Sequence, residues 1–80
     1  MTDRLTVSSA ADYSILVQGI LERPWIEQYG ELELFVRNDG GRPLTTAVGT
    51  VKDQAALCGL LNFIYGLGMP LLNVTYLGRP

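Results

Sequence analysis

The sequence predicts an α+β domain. The expected fold is a ferredoxin-like βαββαβ plait with a stunted first helix, a four-stranded antiparallel-mixed sheet, and one long helix on one face. Three observations carry this. Apolar residues alternate at period two in four short runs, and one uncharged run has helical period. Clusters of Gly, Pro, Asn and Asp separate the runs in the order strand, short helix, strand, strand, long helix, strand.

Residues 1–12 are small and polar and are expected to form a flexible arm outside the core, leaving 13–80 as a single domain. Tyr13 to Leu21 reads as a strand with apolar groups on both faces: Tyr13, Ile15 and Val17 on one, Leu16 and Ile20 on the other. Pro24 then opens a helix of one or two turns through Trp25, Ile26 and Tyr29, which Gly30 ends. From Glu31 to Arg37 the alternation is clean, with Leu32, Leu34 and Val36 opposite Glu31, Glu33, Phe35 and Arg37. Asn38 to Pro43 is a cluster of turn formers and predicts a hairpin with left-handed backbone at a glycine. Leu44 to Val51 returns antiparallel, and Gly49 within it marks a bulge or a close backbone approach.

Asp53 suits an N-cap for a helix from Gln54 to about Leu67, which Gly68 and Pro70 stop. Its core stripe is Leu57, Leu60, Leu61, Ile64 and Leu67, with Ala56 and Phe63 at the edge. Leu71 to Leu77 closes the chain as a strand. Nothing between Gln54 and Gly78 is ionised, but Asn62, Asn73, Gly66, Gly68 and Pro70 interrupt that stretch, so a helix followed by a strand is expected and not a membrane span.

Eighty residues with 48% hydrophobic and 18% charged content make one small core, which is marginal unless a partner adds burial. The chain has no histidine, which removes imidazole catalysis, His-based metal sites and His-activated nucleophiles. A net charge of -2 and a pI near 4.8 speak against nucleic-acid binding. Cys58, the single cysteine, cannot form an internal disulfide and fits a reducing compartment. Met1 to Arg4 lack the features of a secretory signal, so a cytoplasmic location is expected. No catalytic, cofactor or metal residues are predicted, and Glu31 with Glu33 reads as a solvated edge.

The helix face opposite the core stripe should be charged, yet it reads Ala55, Cys58, Gly59, Asn62 and Gly66, bordered by Tyr65 and Phe63. Gly59 and Gly66 each cost about 1 kcal/mol of helix propensity against alanine, which close packing of another surface would offset. This strip is the first candidate interface. The second is the helix-free sheet face, expected to show Ile15, Val17 and Phe35. Trp25 could anchor a partner, although plugging the open end of the core is its simpler role.

The run Val51-Lys52-Asp53-Gln54-Ala55-Ala56-Leu57-Cys58-Gly59-Leu60-Leu61, followed by Leu67-Gly68-Met69-Pro70-Leu71-Leu72-Asn73-Val74, resembles a segment of a family of small uncharacterised bacterial proteins. Trp25 and Val17-Gln18-Gly19 extend the resemblance over Tyr13 to Leu77. It implies no activity, cofactor or substrate. Phe63 and Tyr65 stand where that family usually carries a basic and an acidic residue, which implies a more apolar interface in this chain.

The expected function is therefore a non-catalytic domain that self-associates, most simply as a dimer, or serves as an accessory subunit for a protein partner. Added apolar burial of about 25 cal/mol per Å² would stabilise the small monomer. On the strip reading, Gly59→Arg gives a folded but dissociated protein. The alternative is a small-molecule regulatory module with its ligand at a dimer seam near Gly30, Asp53 and the helix start.

Overall fold

In the computed structural model, which describes residues 5–80, four strands build one antiparallel sheet in the order β2-β3-β1-β4. β1 spans Ala11–Gln18, β2 Gly30–Asp39, β3 Arg42–Val51 and β4 Leu71–Gly78. Every neighbouring pair runs antiparallel, so the expected mixed character is absent from the sheet. Between β1 and β2 lie α1, Arg23–Ile26, and a 3-10 turn, Glu27–Tyr29; α2, Gln54–Gly66, joins β3 to β4.

Local chemistry accounts for most boundaries. Pro24 sits in the first turn of α1, where its missing N–H costs nothing. Asp53 caps α2, its Oδ1 accepting from the Ala56 N–H at 2.7 Å. At 13 residues α2 has ordinary rather than exceptional length. It ends at Gly66, so Leu67 is a cap residue, 42% exposed, and not part of the core stripe. Gly40 and Gly41, at φ 60° and 84°, form the two-residue turn between β2 and β3. The register through Gly49 is continuous, so this residue marks a close approach and not a bulge: a Cβ there would lie 2.1 Å from the Glu31 carbonyl oxygen.

Two boundaries move. Of the arm expected over 1–12, residues 1–4 lie outside the described residues. Ala11 and Asp12 belong to β1, Ala11 being 1% exposed, and the Val7 carbonyl accepts from the Gln54 N–H at 2.9 Å. β1 stops at Gln18 because Gly19, at φ 122°, turns the chain away; Leu21 still reaches the core.

The core lies between one sheet face and the helical segments. Ala11, Tyr13, Ile15 and Val17 of β1, Leu32 of β2, and Ala47 and Val51 of β3 meet Ile26 of α1 and Leu60 and Ile64 of α2. Ile15 and Val17 are fully buried, which corrects their expected place on the open face. Residues directly opposite in an antiparallel pair share a face, and Ile15 stands opposite Ala47 with Val17 opposite Thr45, all beneath the helices. Thr45, also fully buried, is satisfied: its hydroxyl donates to the Gly19 carbonyl at 2.7 Å and accepts from the Leu21 N–H at 3.3 Å.

Candidate interaction surface

α2 turns Leu60 and Ile64 into the core, with Leu57, Leu61 and Phe63 packed beside them. The opposite stripe runs Ala55, Cys58 and Asn62, three or four residues apart, to the adjacent Tyr65 and Gly66, and all are exposed, Tyr65 at 84%. Gly59 behaves differently. A Cβ on it would lie 2.9 Å from Cε1 of Tyr29, because the Tyr29 ring rests on the helix at that point. The helix glycine thus makes room for a side chain of the same molecule. Tyr29 also faces Phe63 at 6.3 Å between ring centroids, and Trp25 meets Phe63 edge-on at the same distance. Tyr29, Phe63 and Trp25 therefore form an aromatic corner beside Gly59 that ties the short helix to α2, with Trp25 still 36% exposed at its rim. Gly59→Arg would evict Tyr29 before it reached any second protein, so it is no test of the strip.

The open sheet face presents Asp12, Ser14, Leu16 and Gln18 of β1, Thr46, Val48 and Thr50 of β3, and Glu31, Glu33, Phe35 and Arg37 of β2. It is mainly polar, and the Thr50 hydroxyl donates to Asp12 at 2.5 Å. Phe35 lies there, 56% exposed, without the aliphatic company of Ile15 and Val17.

The most apolar surface is neither of these but the sheet edge formed by β4. In β4 every residue from Leu71 to Leu77 is exposed, with Leu71, Leu72, Val74, Tyr76 and Leu77 between 38% and 53%. The strand lies at the end of the sheet, and α2 approaches β3 and the 3-10 turn more closely than β4. Tyr76 finds one partner, the edge of the Tyr13 ring at 5.8 Å, and the Tyr13 hydroxyl accepts from the Gln54 side-chain amide at 2.8 Å. Beside the start of β4, an apolar groove of about 370 Å³ runs between Leu61, Tyr65, Met69 and Leu71. The available signal in the sequence was the absence of charge from Gln54 to Gly78, which marked β4 as much as α2.

Near Gly30, a hollow is lined by Ala10, Glu27, Glu31, Thr50 and Lys52. Asp53 does not line it and is engaged as the cap of α2. Among the described residues no three of the Cys, Asp and Glu side chains are placed to hold a metal ion, and no helix is long and apolar enough to cross a membrane.

The molecule is an α+β domain whose most prominent surface is an uncharged strand at one sheet edge. A family model for a domain of unknown function, DUF8691, matches residues 12–75, and the chain belongs to that family. No curated protein and no solved structure matches it.

Proposed function

We propose that this chain is a non-catalytic interaction domain that works by self-association, on the scaffold of a ferredoxin-like plait with a stunted first helix. The plait reading is supported by the strand order, in which β1 and β3 are central and each helical connection joins strands separated by one other strand. The absence of histidine and the apolar character of the exposed surface favour association over catalysis. A reducing compartment such as the cytoplasm suits the exposed thiol of Cys58.

One observation carries the functional reading: β4 is uncharged from Leu71 to Gly78, and its five large apolar side chains are all exposed at the sheet edge. A small domain gains little by solvating such a strand and gains stability by covering it. Light scattering across a concentration series at two salt concentrations tests the proposal. The expected result is a dimer that persists at high salt, since apolar burial is not screened. A monomer at every concentration would remove self-association.

A further inference from the structure

We infer that two copies join through the outer edge of β4, antiparallel about a two-fold axis at Thr75, to make one continuous eight-stranded sheet. This rests on the self-association reading and specifies how the copies meet.

The main-chain geometry supplies the docking groups. The Gln18 N–H donates to the Pro70 carbonyl at 2.9 Å, whereas the Gly19 N–H donates to the Pro43 carbonyl at 2.8 Å. Even-numbered residues of β1 thus turn their main chain toward β4, and odd-numbered ones toward β3. Asn73, opposite Leu16, and Thr75, opposite Ser14, pair inward with β1. By alternation the N–H and C=O of Val74 and Tyr76 point outward, and among the described residues no strand lies beyond them.

Register shifts leave Leu72 and Leu77 without an opposite residue in β1, so the regular stretch of β4 is Asn73 to Tyr76. A two-fold axis at Thr75 sets Val74 opposite Tyr76 of the second copy, and Tyr76 opposite its Val74. All four residues have outward-pointing main chains within the regular stretch. That gives four main-chain hydrogen bonds and two β-branched–aromatic cross-strand pairs.

Charge selects the occupant. β4 carries no ionised side chain from Leu71 to Gly78, while the opposite edge, β2, carries Glu31, Glu33, Arg37 and Asp39. The β2 edge is kept in water by those groups, and a neutral apolar strand is best matched by another neutral apolar strand. The area agrees. With about 200 Å² for each fully exposed large side chain, Tyr65, Leu71, Leu72, Val74, Tyr76 and Leu77 expose about 600 Å² per copy, or about 1,200 Å² for two. That total is the most this surface could bury, and it reaches the lower bound of specific interfaces. A two-fold axis uses each β4 edge once, so the assembly closes as a dimer and does not grow into fibres.

The test compares the full-length chain with Val74→Pro and Val74→Lys by light scattering, with circular dichroism reporting the fold. Proline at Val74 removes an outward N–H that the monomer does not use, and lysine sets a charge on the edge. Both variants should remain folded and raise the dimer dissociation constant by about tenfold or more. A third variant, Thr75→Cys in a Cys58→Ser background, places two thiols across the axis. The Cα atoms of such a non-hydrogen-bonded pair stand about 4.5 Å apart, within disulfide range, so oxidised glutathione should yield a covalent dimer. Dimers that survive both Val74 changes, or no cross-link at Thr75→Cys, would overturn edge pairing while leaving self-association intact. A wild-type monomer would overturn both. Thr75→Cys alters no main-chain group and decides the matter if the Val74 variants fail to fold.

Discussion

Gly59 and Gly66 occupy the same helix, yet alanine should act on them in opposite directions. At Gly66 nothing lies within 4 Å of an added Cβ, so the substitution only improves helix propensity, a gain of about 0.5–1 kcal/mol near the helix end. Gly59→Ala has the same propensity gain available, but its Cβ would stand 2.9 Å from Tyr29 Cε1, where carbon atoms prefer about 3.5–4.0 Å. The ring cannot rotate freely aside, because it is packed against Phe63, which in turn meets Trp25. Overpacking of this kind costs about 1–3 kcal/mol. The net expectation for Gly59→Ala is a loss of about 0–2 kcal/mol, leaving it about 1–3 kcal/mol less stable than Gly66→Ala. In a domain of this size each kcal/mol moves Tm by about 4–8 °C, so thermal unfolding followed by circular dichroism resolves the two. In a Tyr29→Ala background the obstruction is gone and Gly59→Ala should become stabilising by about 1 kcal/mol. If Gly59→Ala raises Tm as much as Gly66→Ala in the wild-type background, Tyr29 does not rest on the helix and the aromatic corner is wrong.

Two further changes probe the core and the hairpin. Thr45→Val keeps the shape but leaves the Gly19 carbonyl and Leu21 N–H without their partner, a loss of about 1–3 kcal/mol that a urea titration would show as a lower midpoint; wild-type stability would refute that role. Gly49→Ala forces a Cβ to within 2.1 Å of the Glu31 carbonyl at φ 153°, and should cost about 3 kcal/mol or more and broaden or abolish cooperative unfolding; an intact sharp transition would contradict the close β2–β3 approach.

Features set by a few neighbouring residues were legible from the sequence. Asp53 before an apolar run, Pro24 at the head of a short helix and paired glycines between two alternating segments each carry their own local chemistry. The burial of Ile15 and Val17 was readable too, since Ser14 and Gln18 make the even face of β1 the more polar one, but Leu16 and Ile20 obscured the difference. What closes the question is the pairing with Ala47 and Thr45, a long-range fact. The role of Gly59 was hidden for a related reason: a small residue on a helix looks the same whether its space is filled by another protein or by a ring from thirty residues upstream. β4 shows the reverse problem. Its alternation resembles any half-buried strand, and only its edge place in the sheet and the sparse cover from α2 reveal that both of its faces are exposed.

The central position of β1 gives one strand two independent reporters of opening. The amides of Asp12, Ser14, Leu16 and Gln18 point to β4, and those of Tyr13, Ile15, Val17 and Gly19 point to β3. β2 and β3 are joined by a two-residue turn and pair without a break, whereas β4 pairs with β1 across a long sequence separation and with two register breaks, which favours its local release. Hydrogen exchange along β1 should therefore trace a sawtooth, with even-numbered amides exchanging through local release of β4 and odd-numbered ones only when the sheet itself comes apart. A second copy clasping the outer edge of β4 would flatten that sawtooth, so the exchange pattern of an interior strand would record whether the edge two positions away is occupied.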